Sequence, residues 1–444
     1  MSGLLRRVSP ADLHGMPRGV LDAETLATAA AIVEDVRERG EEAVRAHAER
    51  FGDIGPGDSL SIGRRELLEG FETLDEETRE LLIRVHRRIE AFCRAQRDGL
   101  ADLTIQIEGG QAGHRWIPVR SVGVYAPGGR YPLPSSVLMT VTPARVAGVT
   151  SVWLASPRPS PLVLGAAWVA GADGVLTVGG AQAVAALAFG TVSPHADMIV
   201  GPGNRWVVAA KRHLFGEVGI DGLAGPTEIV VVADDDADPA LAAGDLLAQA
   251  EHDVDALPIL ITTSMRMAEE IDRELGEQLA DLPTSEVAAV ALENGFCVVV
   301  DSLSQATAVS DSLAPEHVAL HVNEPRALAM QLREYGSLFI GPGSAEAFAD
   351  YGAGPNHVLP TGGGPRYQSG LSVMTFLKAS TWLAIDRPDY LVEDTARLAR
   401  LEGLEGHARA ALARSRQTEL RQGRSPVSAA PRDASTPPPT GRPR

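Results

Sequence analysis

The sequence predicts an α/β protein built from two Rossmann-like parallel-sheet domains, with helical extensions at both ends. The domains are incomplete in that neither carries a G-x-G-x-x-G turn. Three observations predict this class. From about residue 105, short β-rich runs alternate with helical segments, the pattern of βαβ units. Hydrophobic residues make up 44% of the 444 while aromatics are 5%, which suits aliphatic packing of helices on sheets. Three glycine-rich turns stand where strands are expected to end.

The elements follow in chain order. Residues 1–20, beginning MSGLLRRVSPADLHGMP, lack a long apolar core, so an N-terminal extension is expected and a secretory leader is not. AETLATAAAIVEDVRERGEEAVRAHAERFG and DEETRELLIRVHRRIEAFCRAQ place apolar residues at helical spacing among charges, which predicts helices from 22 to about 100. His47 and His86 within them read as solvated surface residues. TIQIE, SVGVYA, SVWLAS, GVLTVG, MIVG, EIVVVA, PILIT, CVVV, HVALHV and LFIG are the predicted strands. SSVLMTVTPARVAG and AQAVAALAFG are helical segments between them. Residues 125–226 are expected to form one module inserted into a larger α/β domain of 21–124 and 227–370. A C-terminal helical segment, 371–414, follows. From 415 the chain is rich in Pro, Ser and Arg without an apolar face, which predicts a disordered tail to 444.

Composition excludes several functions. A net charge of −18 argues against a nucleic-acid partner, because phosphate recognition needs a basic surface. Eighteen unbroken apolar residues occur nowhere, so no membrane span is expected. Cys93 and Cys297 are far apart and form no CxxC pair, which speaks against a disulfide framework and for a reducing compartment. The expectation is an acidic, soluble, cytoplasmic protein.

The glycine turns are YAPGG (125–129), VGGAQA (178–183) and VGPGN (200–204). Glycine lets the chain turn sharply and lets a ligand approach backbone N–H groups, with a helix N-terminus behind to favour phosphate. Each alone reads as a plain turn; together they suggest a ligand crevice in one module. Tyr125, Gln182 and Asn204 supply their polar or stacking groups.

A second set of residues is suited to metal and proton chemistry. In LLAQAEHD, Gln249 and His252 stand three apart, a spacing that shares one helix face and can hold one cation. Alone, the pair reads as hydrogen-bonded polar residues on a solvated face. Glu316 and His317 in LAPEHVALHV are an adjacent carboxylate and imidazole, whose side chains should point apart in extended chain. FADYGAGPNHVLPTGGG brings Asp350, Asn356 and His357 into a stiff polar loop. Glu402, Glu405 and His407 lie in a C-terminal helical segment, where His407 by itself reads as solvated or capping. Spacing alone does not assemble these residues into one site.

RWIPVRSVGVYAPGG, GGAQAVAALAFG, VGPGNRWVVAAKR, GIDGLAGPTEIVV, LLAQAEHD, APEHV and GPNHVLPTGGG, in that order, resemble the L-histidinol dehydrogenase family. The resemblance runs from the first helices to about residue 412. It implies a zinc- and NAD⁺-dependent four-electron oxidation of L-histidinol to L-histidine through L-histidinal, the last step of histidine biosynthesis. It implies one Zn²⁺ per subunit held by Gln249, His252, Asp350 and His407, with Glu316 and His317 as the acid–base pair. Substrate contacts implied are Thr227, His357 and Glu402, together with the metal ligands and His317. Cofactor contacts fall on Tyr125, Gln182 and Asn204. The family also implies an intertwined homodimer, in which the C-terminal segment carries Glu402 and His407 into the neighbour's site.

The residue types suit that chemistry. Oxidising an alcohol to an acid removes two hydrides, several protons and consumes a water, so a base is needed at each step. His317, with an ordinary pKa near 6.5, suits repeated proton transfer, and Glu316 suits activation of the water. Two alternatives are a related zinc- and NAD-dependent dehydrogenase of another small polar alcohol, such as a sulfonated diol, and a zinc hydrolase. The hydrolase leaves the glycine turns unexplained.

Overall fold

The structure is a computed structural model, and it describes residues 3–13, 21–128 and 132–422. The chain begins with β1 (Arg6–Arg7), α1 (Ala23–Arg39), α2 (Glu41–Phe51), β2 (Ser61–Gly63), α3 (Arg64–Glu72) and α4 (Glu76–Asp98). There follow β3 (Leu103–Ile107), β4 (Gly110–Pro118), β5 (Ser121–Tyr125), α5 (Pro134–Ala147), β6 (Ser151–Ala155), α6 (Pro161–Ala170) and β7 (Gly174–Leu176). Next come α7 (Gly180–Phe189), β8 (Met198–Val200), α8 (Arg205–Leu214), β9 (Gly219–Ile220), β10 (Glu228–Ala233), α9 (Pro239–Ala250) and β11 (Leu257–Thr262). The chain continues through α10 (Met265–Ala280), α11 (Ser285–Asn294), β12 (Phe296–Val299), α12 (Leu303–Leu313), β13 (His317–His321), α13 (Pro325–Ala329) and β14 (Ser337–Ile340). It closes with α14 (Glu346–Asp350), β15 (Leu377–Ile385), α15 (Asp389–Leu401) and α16 (Glu405–Gln422).

The chain divides into two compact units. The first, residues 1–100 and 117–378, contains two six-stranded sheets. One has the order β2-β7-β6-β5-β8-β9 and is parallel except for β2. The other, β1-β12-β11-β10-β13-β14, is parallel throughout. Helices cover both faces, so central strands such as SVGVY and EIVVVA are buried along their whole length. Continuous apolar runs are what a parallel strand buried on two faces requires. The second unit, residues 101–116 and 379–444, combines the β15-β4-β3 sheet with packed helices α15 and α16.

The observed α/β class is the expected one, and each predicted strand run coincides with a strand. Several boundaries differ. Helices α1–α4 pack on α5–α8 of the first sheet, so residues 21–100 belong with the module expected to begin at 125. Strand β5 straddles that expected boundary and is the first sheet's centre. The stretch 103–116 joins neither large sheet; its strands pair with each other and with β15. The N-terminal extension supplies β1 at the edge of the second sheet. Helix α16 runs to Gln422 and takes in the first eight residues of the expected tail, because RQTELRQ holds helix-compatible residues with no Gly or Pro until Gly423. Residues 423–444 lie outside the described residues, as does Gly129 of the first glycine turn.

His47 and His86 are half-buried and partnered. His47 Nε2 lies 2.8 Å from Asp35 Oδ2 and its ring stacks on Phe51. His86 Nδ1 lies 3.1 Å from Thr142 Oγ1. Both sit on the helix side facing neighbouring elements, which helical spacing alone did not separate from the charged side. Cys93 and Cys297 are free and buried. Among the described residues no helix is long and apolar enough to cross a membrane.

Candidate active site

In the first sheet the chain runs from β5 outward through β6 and β7, then returns to β8 on the other side of β5. Such a reversal leaves a crevice at the C-terminal ends of the two strands. The turns after β5 and β8 lie there. Gly201 has φ +106°, and a Cβ at this position would stand 2.2 Å from the Tyr125 carbonyl oxygen, so the turn requires glycine. A cleft of about 1570 Å³ opens at this edge, lined by Tyr125, Gln182, Asn204 and His252 among others.

The three expected cofactor residues therefore share one cleft, and each also shapes it. The Tyr125 hydroxyl accepts the Gly180 N–H at 3.1 Å, and burial pushes its pKa up. Gln182 Nε2 donates to Asp53 Oδ2 at 3.3 Å, and the same oxygen accepts the Gly179 N–H at 2.9 Å. Asn204 caps α8, its Oδ1 accepting from Trp206 N and Val207 N at 3.1 and 3.2 Å. Asp53, after α2, was not singled out from sequence; nothing in FGDIG sets it apart from an ordinary turn aspartate.

Strands β10 and β13 are neighbours, with Ile229 beside His317. Thr227, Glu228, Glu316 and His317 thus meet at the N-terminal edge of the second sheet. Glu316 Oε2 accepts from Thr227 Oγ1 at 2.6 Å and from Glu228 N at 3.1 Å. Burial pushes its pKa well above the carboxylate range, against the lowering effect of those two donors. His317 lies close to it, Nδ1 to Oε2 at 3.7 Å, nearer than extended-chain alternation suggests, because Glu316 precedes the strand and is not in its pleat. Burial lowers the His317 pKa to about 4, so its ordinary value does not apply: the imidazole is neutral at pH 7. Its Nδ1 is 3.2 Å from the Glu228 carbonyl; with the proton donated there, Nε2 is the free base.

Gln249, fully buried in α9, places its amide 2.5 Å from Thr227 Oγ1. The far end of that amide lies 2.7 and 2.9 Å from the two Glu346 carboxyl oxygens. His252 lies beyond the helix that carries Gln249. Helix α9 ends at Ala250, and a turn at Asp253, whose Oδ1 accepts Asp255 N at 3.0 Å, follows. That turn sets His252 Nε2 3.5 Å from Asp350 Oδ2. Donor atoms of His252, Glu346 and Asp350 all lie within 4.8 Å of one another. One imidazole and two carboxylates suit a borderline divalent cation such as zinc. Glu346, 2% exposed, carries a pKa well above the ordinary range through burial, then the charge of Asp350. Sequence reading missed Glu346; its spacing of four from Asp350 on α14 was the available signal.

His357 stands behind Asp350, its Nδ1 3.1 Å from the Asp350 carbonyl and its Nε2 3.5 Å from Ser136 Oγ. Burial lowers its pKa. Asn356 Nδ2 donates to the Met139 carbonyl at 2.6 Å, and Arg88 Nε donates to the Gly352 carbonyl at 2.9 Å, so the 350–357 loop is fastened to α4 and α5. The first unit thereby gathers Thr227, Gln249, His252, Glu316, His317, Asp350 and His357. Glu402 and His407 belong to the second unit, where both are exposed.

Comparison with known proteins matches the chain to a family. The family described as "Histidinol dehydrogenase" matches residues 18–415. A histidinol dehydrogenase of Thermus thermophilus is 48% identical over 384 residues, covering 85% of this chain and 92% of that protein. One of Parasynechococcus marenigrum is 45% identical over 387 residues, covering 85% and 88%. The crystal structure of histidinol dehydrogenase from Elizabethkingia anophelis superposes with a TM-score of 0.88 at 30% identity, covering 94% of this chain and all of that one. The chain belongs to the histidinol dehydrogenase family of oxidoreductases.

Proposed function

We propose that the chain oxidises L-histidinol to L-histidine in two successive hydride transfers to NAD⁺, with one zinc ion per subunit. The observation that carries this reading is the placement of the buried Glu316–His317 pair beside the His252, Glu346 and Asp350 donors.

Gln249, His252 and Asp350 are the proposed zinc ligands in this unit, with Glu346 holding the Gln249 amide. When bound, zinc supplies a positive template for the substrate's imidazole and amine. The chain's own residues do the proton work. His317 accepts the alcohol proton at Nε2, a role favoured by its neutral state at pH 7. Glu316, oriented by Thr227 and the Glu228 N–H, draws a proton in its ionised form from the water that hydrates the aldehyde. His357 and Thr227 contact the substrate. Tyr125, Gln182 and Asn204 shape the crevice for the dinucleotide, whose phosphates are suited to the turns at the starts of α7 and α8. Glu402 and His407 are proposed to complete the site of a second copy in a homodimer.

The test is stoichiometric: NADH formed per histidinol consumed, with zinc determined on the same sample. Two NADH per histidinol are expected, with zinc near one per chain. One NADH per histidinol, or faster turnover of a sulfonated diol, would replace this reading with that of a different alcohol dehydrogenase.

A further inference from the structure

We infer that the buried ion pair Lys211–Asp221 positions the dinucleotide site by gripping both polar groups of Gly201. The inference rests on the proposed use of NAD⁺ in the crevice between β5 and β8.

Lys211 is in α8 and Asp221 follows β9; their side chains are 4% and 6% exposed and in direct contact. Burying two charges is costly unless their remaining hydrogen-bonding capacity is used. Here it is used on one residue. Lys211 Nζ donates to the Gly201 carbonyl at 2.9 Å, and Asp221 Oδ2 accepts the Gly201 N–H at 2.6 Å. Gly201 opens the turn whose Pro202, Gly203 and Asn204 line the cleft. The turn's other end is held by the Asn204 cap on the same helix that carries Lys211. Its two ends are thus fixed relative to one rigid element, with residues 202–204 between them at the cleft.

A second link leaves from the same place. The Asp221 carbonyl accepts a hydrogen bond from Gln368 Nε2, and Thr361 Oγ1 accepts the Gly225 N–H. The strap from β9 to Thr227 is therefore fastened independently of the ion pair. Loss of the pair should loosen the glycine turn while leaving Thr227 and the residues beyond it in place. A pair that served only to fill the core would instead affect stability and leave ligand affinities unchanged.

The test uses the full-length, zinc-loaded protein and reads three quantities: NADH affinity by calorimetry, the KM for NAD⁺ against the KM for histidinol, and Tm. Asp221→Asn and Lys211→Met are expected to weaken NADH binding and raise the NAD⁺ KM by about 10-fold or more, since misplacing a positioned group by about 1 Å can cost up to about 100-fold. The histidinol KM and zinc content should stay within about 2-fold. If the single variants fail to fold, the double variant Lys211→Met/Asp221→Leu decides, because apolar replacement of a buried pair is often neutral for stability. It should fold and still bind NADH weakly, whereas Asp221→Glu, which keeps the charge, should recover part of the affinity. A folded double variant with native NADH affinity overturns the inference. Wild-type protein that binds no NADH overturns the cofactor reading as well, which separates the two failures.

Discussion

His317 and Glu316 show how burial tunes neighbouring groups in opposite directions. Desolvation disfavours charge, so the imidazole pKa falls and the carboxyl pKa rises. The result is a neutral base beside a carboxyl whose charge depends on Thr227 and the Glu228 N–H. Replacing His317 with Asn removes the base and little volume. Turnover should fall by about 10² to 10⁴, with zinc content unchanged; near-normal turnover would remove His317 from the proposed mechanism. The two thiols test burial elsewhere. Burial pushes Cys93 to about 12 and Cys297 to about 11, so at pH 8 both are protonated and shielded. A thiol-specific reagent should label neither cysteine in the native protein and both after denaturation; rapid labelling of the native chain would contradict their packing.

At the level of elements, α14 is the short piece on which the cation site turns. It sets Glu346 and Asp350 one helical turn apart, the first toward Gln249 and the second toward His252. Glu346→Gln keeps the shape and replaces the carboxyl by an amide. It should weaken zinc binding by about 10- to 100-fold, measured by competition with a chelator; unchanged affinity would exclude Glu346 from the site. Strand β11 answers for the core. Leu260 is 1% exposed within the aliphatic layer under α9 and α10, and Leu260→Ala should cost about 2–5 kcal/mol of stability. Denaturant midpoints measure that loss, and a change below about 0.5 kcal/mol would mean the layer is not packed as described.

Across the whole molecule, the proposal of shared sites makes a quantitative prediction. A His252→Ala chain and a His407→Ala chain should each be inactive alone. In a heterodimer of the two, one site carries both substitutions and the other carries neither. About half of the wild-type activity per dimer should therefore return, read after purification through two different tags. No recovery in a confirmed heterodimer would place both residues in a site built from one chain.

The alternation of strands and helices is legible in the sequence, because fully buried parallel strands and their covering helices leave periodic and composition signals in short windows. Also legible are the glycine turns, of which the one at Gly201 requires glycine, and seven of the polar residues that the first unit brings together. That helices α1–α4 belong with the first sheet emerges from packing alone, since helix spacing shows an apolar face and not what covers it. The same holds for Glu346, half-buried His47 and His86, and the pKa of His317. Each depends on desolvation and on partners far away in sequence, and neither is written in the spacing of neighbouring residues.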